Sequence, residues 1–374
     1  MIKNPFLKYG YQGPEYFCDR ETEIQTISRT MSGGASNITL ISPRRMGKTG
    51  LIKRTFEQML NDTPQAVFVY VDALPTRSFE EFVQIFGENV LTTLQNRHSS
   101  IFKRTLDLLK SLRPVFSTDA ITGNPTVSLT IQPDNAEMTL SQIFDLLEQS
   151  GRPCYVALDE FQQVSTFTPN NVEAILRSHI QFLKNVRFIF AGSSMHMMTQ
   201  IFMSAKLPFF NSTQVVTLKP IDEDIYYAWA NRFFEMRGGH LSREIFHTMY
   251  SKLDGHTWYV QAVLNTLYDN HVQVNNEACY QQAIASIVEE NKDYYQNLIA
   301  LLTNNQLKLL RAIACEGKAS AINASRFIHR YNLKTSSSVN TALKSLLDKE
   351  LVYKQAKTYE VADRFLALYL RTLP

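Results

Sequence analysis

The sequence has little of what would mark a secreted or membrane protein. Its four cysteines, Cys18, Cys154, Cys279 and Cys315, stand far apart in 374 residues and form no metal-binding spacing. Scattered thiols of this kind are expected to be reduced and mostly buried. No apolar run approaches the ~20 residues that a membrane span needs. The first residues, MIKNPFLKYGYQGPEYF, hold none of the apolar core of a secretion signal. A cytoplasmic protein with no membrane partner is the expectation. Charge of one sign is also scarce, with a formal net charge of +3, but it is unevenly placed. From residue 301 onward there are 12 Lys/Arg against 5 Asp/Glu, a net of +7, whereas the preceding 300 residues are net −4. A basic tail on a mildly acidic body is a weak nucleic-acid signal. The length exceeds one typical hydrophobic core, so two or three domains are expected.

What the chain does have is the stretch 37–53, NITLISPRRMGKTGLIK. Ile38, Leu40 and Ile41 form a short apolar run that reads as a buried strand. Pro43 lacks a donor, and Arg44, Arg45 and Met46 follow it, so the strand stops there. Gly47, Lys48, Thr49 and Gly50 open a segment in which Leu51, Ile52, Phe56, Met59 and Leu60 recur at helical spacing. Strand, loop, Gly-Lys-Thr and helix make the context of a phosphate-binding loop. Backbone N–H groups at the helix start, with the positive end of its dipole, face an anion. Lys48 would reach the β- and γ-phosphates, and the Thr49 hydroxyl would ligate Mg²⁺. The general pattern begins with glycine, where this sequence has Ser42. The competing reading is a surface turn that happens to contain the triplet.

Other apolar runs repeat the strand signal. Residues 66–71 (AVFVYV) read as a second buried parallel strand. Residues 152–163, RPCYVALDEFQQ, read as a strand ending in Asp159 and Glu160. Adjacent carboxylates at the end of an apolar strand are costly unless a cation or a reaction needs them. In a nucleotide site Asp159 would hold Mg²⁺ through water, and Glu160 would polarise the water that attacks the γ-phosphate; the alternative is a solvated strand end. Residues 186–191 (VRFIFA) lead into Gly192-Ser193-Ser194, where a small polar residue either senses the γ-phosphate or marks a strand-to-helix turn with serine as N-cap. Residues 214–218 complete a five-stranded parallel sheet closed by Pro220. Helices are expected over 20–31, with Asp19 as N-cap, and over 79–94, 101–112, 140–149 and 172–183. Pro114, Gly123 and Pro125, with alternating Val127, Leu129 and Ile131, predict a β-hairpin insertion near 113–136.

From residue 222 onward helices dominate. Segments 223–236, 242–253 and 257–270 predict a small bundle, and 278–300 a long bridging helix. The segment DGHTWYVQ at 254–261 reads either as groups able to meet a nucleotide or as a capped helix with a buried Trp258. In the tail, helices over 304–315, 323–331 and 336–349 precede a hairpin over 351–354 and 358–361, a winged-helix plan. The third helix carries a polar N-terminal face (Thr335, Ser336, Ser337, Ser338, Asn340, Thr341 and Lys344) suited to phosphate and base-edge contacts. Winged helices also dock proteins, so duplex DNA and a protein partner both stand. The boundaries read as a core over 1–221, a helical lid over 222–300 and a winged-helix domain over 301–374.

In order, YFCDRE at 16–21, SPRRMGKTGLI, VALDEFQ, FIFAGSS, DGHTWYVQ and the tail resemble the prokaryotic AAA+-related ATPases of the archaeal-type ATPase family. These are relatives of the STAND switch ATPases and of the origin-recognition ATPases. The resemblance covers nearly the whole chain, and its Walker A and Walker B segments are the most specific. It implies an α/β P-loop NTPase of the ASCE type, with a strand inserted between the Walker A and Walker B strands, an expectation met by the run 66–71. An α-helical lid and a C-terminal winged-helix domain follow. It implies ATP and Mg²⁺ as ligands, with Pro43, Arg44, Arg45, Met46, Gly47, Lys48, Thr49 and Gly50 around the phosphates. It makes Thr49 and Asp159 the metal residues, the latter through water, and Glu160 the catalytic base. Ser193 falls at the sensor 1 place, and Phe17 and Arg20 beside the adenine. Thr257 stands where such proteins often carry proline. Arg177, Arg187 and Arg232 are candidates for arginine finger or sensor 2 by position only. The expected function is an ATP-hydrolysing switch that couples nucleotide state to DNA, a partner protein or self-association. The alternative is a nucleotide-held regulatory or defence scaffold with negligible turnover.

Overall fold

Each of the five apolar runs becomes a strand of one parallel sheet in the computed structural model, which describes residues 4–34, 36–97, 115–118, 125–167, 171–355 and 357–373. The chain divides into two compact units. The first, Tyr9–Asp222, runs α1 (Glu21–Ser32), β1 (Asn37–Ile41), α2 (Lys48–Asp62), β2 (Val67–Asp72), α3 (Phe79–Arg97), β3 (Val115–Thr118), β4 (Pro125–Ser128), α4 (Ala136–Gln149), β5 (Cys154–Asp159), α5 (Val172–Ile180), β6 (Val186–Gly192), α6 (Met195–Met203) and β7 (Thr213–Thr217).

The sheet order is β2-β5-β6-β1-β7. β6 therefore separates β1 from β5, pairing Ile38 with Ile189 on one side and Leu158 with Phe190 on the other. This corrects the expectation that the run 66–71 is the inserted strand: it follows β1 in the chain but lies at the sheet edge. Its burial alternates accordingly. Val67, Val69 and Val71 are buried, while Phe68 and Tyr70 are half-buried. The three inner strands β1, β5 and β6 are buried almost throughout, as a parallel sheet covered on both faces requires. On one face Ile38, Leu40, Ala157 and Ile189 pack with Ile24 and Ile27 of α1 and Leu51 and Ile52 of α2. On the other, Val156, Phe188 and Phe190 pack with Phe82 and Phe86 of α3, Phe144 of α4 and Leu176 of α5. All strand C-termini thus point to one edge, where β1 gives way to the Gly-Lys-Thr turn.

β3 and β4 pair antiparallel as a separate hairpin. Val127 and Leu129 turn inward onto the same core as α3. The helix expected at 101–112 lies outside the described residues, as do 113–114 and 119–124. The start of α1 differs from expectation. Its N-cap is Arg20, not Asp19, and no side chain caps it. Asp19 and Arg20 both take positive φ, 60° and 81°, so the chain turns sharply there and Asp19 cannot reach back to the helix amides.

The second unit joins the segment through Lys8 to the chain from Glu223 onward. Phe6 is fully buried, ringed by Trp229, Phe233, Phe234 and Tyr268. Asn4 donates to the Asn265 carbonyl and Asn265 to the Phe6 carbonyl, at 2.9 and 2.8 Å. The bundle comprises α7 (Glu223–Met236), α8 (Arg243–Lys252) and α9 (Thr257–Asn270), with a two-residue parallel pair β8 (His240–Leu241) and β9 (Gln273–Val274). Trp258 is half-buried and donates to the Lys8 carbonyl at 2.8 Å. The helix expected over 278–300 is two, α10 (Glu277–Glu290) and α11 (Lys292–Ala300). The break is Asn291, whose side-chain amide donates to the Ile287 carbonyl at 2.7 Å and so competes with the helical ladder.

The tail forms α12 (Asn304–Glu316), β10 (Ala319–Ser320), α13 (Ser325–Arg330), α14 (Ser336–Asp348), β11 (Val352–Gln355), β12 (Thr358–Val361) and α15 (Arg364–Thr372). Its sheet order is β10-β12-β11. Three helices and a wing match the expected plan. Sequence reasoning did not foresee β10 or α15; Asp363 caps α15 by accepting from the Phe365 and Leu366 amides. Among the described residues no helix is long and apolar enough to cross a membrane.

Candidate functional site

The turn after β1 is built by backbone geometry. Arg45 and Gly47 take positive φ, 68° and 91°, and the second is far more accessible to glycine than to any residue with a β-carbon. Ser42 is not among the positive-φ residues. The backbone there therefore makes no demand for glycine, which is how serine can stand in the place of the usual first glycine. Gly47 is the N-cap of α2, and no side chain caps it. The first bond of the helix runs from the Leu51 amide to the Gly47 carbonyl at 2.9 Å, so the Lys48, Thr49 and Gly50 amides precede the ladder. Such a terminus receives anions.

Three predicted residues converge at this edge. The Thr49 hydroxyl donates to Asp159 Oδ2 at 2.7 Å. Lys48 is buried and its ammonium reaches the Ser42 carbonyl at 3.4 Å. Burial pushes the Lys48 pKa down; the Glu160 and Asp159 carboxylates oppose that shift, and Arg44 adds to it. A buried ammonium with a depressed pKa is a group that gains from a polyanion. Asp72, at the end of β2, pairs in register with Asp159. Its pKa is raised by burial first, and further by Asp159 and Glu160, against the Leu74 amide that lowers it. The Thr49 hydroxyl and the Asp159 carboxylate, in contact with each other beside Lys48, are oxygen donors of the kind a hard divalent cation takes together with phosphate and water. The residues present fit Mg²⁺ with a nucleotide.

Glu160 follows Asp159 in the left-handed region, φ 51°, at a cost of about 1–2 kcal/mol for a residue with a β-carbon. The turn sends its carboxylate to β6. Glu160 Oε2 accepts from the Ser193 hydroxyl at 2.6 Å, the Ser193 amide at 3.3 Å and Gln162 Nε2 at 2.6 Å. Arg44 Nε donates to the Ser193 hydroxyl at 3.4 Å. The strand-to-helix turn expected here has a serine at its N-cap, Ser194, though without a side-chain bond, and leaves Ser193 to Glu160.

Other predicted residues lie apart from these contacts. The Phe17 ring packs 3.4 Å from where a β-carbon on Gly50 would sit. It thus backs the first turn of α2, and Gly50 leaves it room. Arg20 is buried and pairs with Glu23 at 3.0 Å. Met46 is buried, and Pro43 accepts from the Ser42 hydroxyl through its carbonyl. Of the arginine candidates, Arg187 donates to the Leu183, Val186 and Gly34 carbonyls at the start of β6, the end of the strand away from Ser193. Arg177 falls in the last turn of α5, and Arg232 lies over the Phe233 ring at 4.8 Å. Two residues that sequence reasoning missed are Tyr70, whose hydroxyl donates to Asp159 Oδ2 at 2.8 Å, and Gln162. Tyr70 alternates with the buried valines of β2, a pattern that identifies its face of the strand but not its partner.

Residues 17–263 match the family model described as an ATPase domain predominantly from Archaea. The chain belongs to this family. Residues 293–372 match a probable winged helix domain. A search of curated proteins returned no match. Among solved structures, the Walker-type ATPase of Pyrococcus abyssi is similar at 18% identity, covering 98% of this chain and 99% of that one, with a TM-score of 0.65. The ADP form of Aeropyrum pernix ORC2 is similar at 16% identity, covering 98% of both chains, with a TM-score of 0.54. Aeropyrum pernix ORC1 in complex with DNA is similar at 13% identity over 98% and 96%, with a TM-score of 0.53. At these identities the likeness is one of fold: a P-loop ATPase domain of the archaeal type with a C-terminal winged helix.

Proposed function

We propose that the protein is a Mg²⁺-dependent, ATP-hydrolysing switch whose nucleotide state governs contact between its winged helix and duplex DNA. The observation that carries this reading is the junction of Thr49, Asp159 and Lys48 at the amide-rich start of α2. In this reading the α2 amides and Lys48 bind the β- and γ-phosphates, and Thr49 and Asp159 hold the metal. When bound there, Mg²⁺ would neutralise phosphate charge. Glu160 takes the proton of the attacking water, and Ser193 holds that carboxylate.

The DNA arm of the proposal rests on α14. Val339, Ala342, Leu343 and Leu346 are buried, so Ser336, Ser337, Asn340, Thr341 and Lys344 form an exposed polar face. Thr335 caps the helix through the Ser338 amide at 3.2 Å. The net charge of +7 from residue 301 onward is the matching long-range field. The fold likeness to an ORC1 protein solved in complex with DNA is compatible with it.

The test is ATP turnover with Mg²⁺ by the wild type and Glu160→Gln, each with and without duplex DNA. The expected result is loss of turnover in Glu160→Gln, on the order of 10²–10⁴-fold for a lost general base, with nucleotide binding retained. Less than one equivalent hydrolysed over hours by the wild type would instead make the protein a nucleotide-held scaffold. DNA binding that does not weaken with salt, or no DNA binding, would remove the DNA arm.

A further inference from the structure

Resting on the reading of Glu160 as the base, we infer that Gln162 is a positioning residue for it. The amide of Gln162 anchors one carboxylate oxygen so that the other is presented to the attacking water. Gln162 lies in the short 3-10 helix Phe161–Thr166 that follows Glu160, and only 7% of it is exposed. Its Nε2 donates to Glu160 Oε2 at 2.6 Å, the oxygen that also takes the hydroxyl and amide of Ser193. Three donors thus meet on one oxygen, and Glu160 Oε1 accepts no hydrogen bond among the described residues. An anchored oxygen and an open one are what a base needs in order to point at a water rather than swing about its terminal torsion.

Two further facts separate this role from ordinary interior packing. Gln162 Oε1 is buried and has no hydrogen-bond partner. An amide present to satisfy the interior would have both ends paired; this one is held by its donor end alone, and that end is on Glu160. The space for it is provided by Gly192 at the end of β6, where a β-carbon would lie 2.5 Å from Gln162 Oε1. The amide is therefore wedged between the end of the strand and the carboxylate, with little freedom to turn. Its orientation follows from charge, since the opposite flip would set a carbonyl oxygen against a carboxylate.

The experiment uses the full chain and the variant Gln162→Met, which keeps length and volume but removes the donor. The expected result is a fall in kcat on the order of 10- to 100-fold, the cost of a base displaced by about an ångström. KM, the affinity for a fluorescent ATP analogue and the melting temperature should stay unchanged. Because Gln162 acts only through Glu160, adding Gln162→Met to Glu160→Gln should cost nothing more, a non-additivity that a packing defect would not show. Should Gln162→Met fail to fold, Gln162→Asn, which withdraws the donor by one methylene, is measured the same way. An unchanged kcat beside an active wild type, a raised kcat, or single losses that multiply in the double variant would overturn the assignment and leave the ATPase reading standing. Wild-type turnover no greater than that of Glu160→Gln would overturn the base role of Glu160, and with it this one.

Discussion

The Tyr70 hydroxyl and the Thr49 hydroxyl donate to the same oxygen, Asp159 Oδ2, at 2.8 and 2.7 Å. A strand-edge tyrosine thus fixes the residue that the Mg²⁺ reading requires. Replacing Tyr70 with Phe leaves that buried oxygen with the Thr49 hydroxyl alone. Loss of one hydrogen bond to a carboxylate costs about 1.5–3 kcal/mol. Urea unfolding of Tyr70→Phe should show a loss in that range, and the Mg²⁺ concentration that half-saturates nucleotide binding should rise.

Buried tyrosines should also lower stability at alkaline pH. Burial, reinforced by Glu277, pushes the Tyr280 hydroxyl up to about 12. Burial, with Asp159 beside it, raises Tyr70 too. An unfolded tyrosine loses its proton near 10, so between there and the folded value the native state holds more protons than the unfolded one. Stability from these groups is fully present below about pH 10 and falls as the pH climbs towards about 12. Unfolding free energy measured across that window should decline, and Tyr280→Phe should make the decline shallower.

Gly192→Ala tests the space beneath the end of β6. The added methyl would lie 2.4 Å from Met198 Sδ and 2.5 Å from Gln162 Oε1. Both side chains must move in a packed interior, which costs about 1–3 kcal/mol. Thermal unfolding should record that loss, and turnover should fall with it because the Glu160 anchor moves.

Phe6→Ala removes a fully buried ring from a cluster of four other aromatics. The expected destabilisation is about 3–5 kcal/mol. Unfolding monitored by the fluorescence of Trp229, whose ring centroid lies 5.6 Å from that of Phe6, would report it in a Trp258→Phe background.

The sheet was legible because each strand is a short apolar run bounded by a breaker, and because Gly-Lys-Thr marks the edge at which the strands end. Spatial order was not legible. Residues 66–71 and 186–191 are equally apolar, and only the alternation of Phe68 and Tyr70 with valines hints that the former is an edge. The pairings around the carboxylates were legible only in part. Thr49 and Asp159 belong to recognisable segments, whereas Tyr70 reaches Asp159 through the β2–β5 pairing, which its alternation with valines does not reveal, and Gln162 enters through positive-φ turning at Glu160 and a missing β-carbon at Gly192, which leave no periodic trace. Asp19 illustrates the opposite error: a residue with the right chemistry for a cap, displaced because the backbone turns at Asp19 and Arg20 and the helix is capped at Arg20. The final helix at 364–372 escaped notice because it follows the wing directly, with Asp363 serving as both the end of one motif and the cap of the next.

Lys8 and Glu223 belong to one unit, while Tyr9 and Asp222 bound the other. In topological terms the nucleotide-handling part is spliced into the part that bears the wing, and each of its ends is a single peptide bond from that host. The Tyr9–Asp222 unit is therefore tied to the rest of the chain at two peptide bonds rather than one. A clone of the later half that begins at residue 223 would arrive without the ring that plugs its own interior.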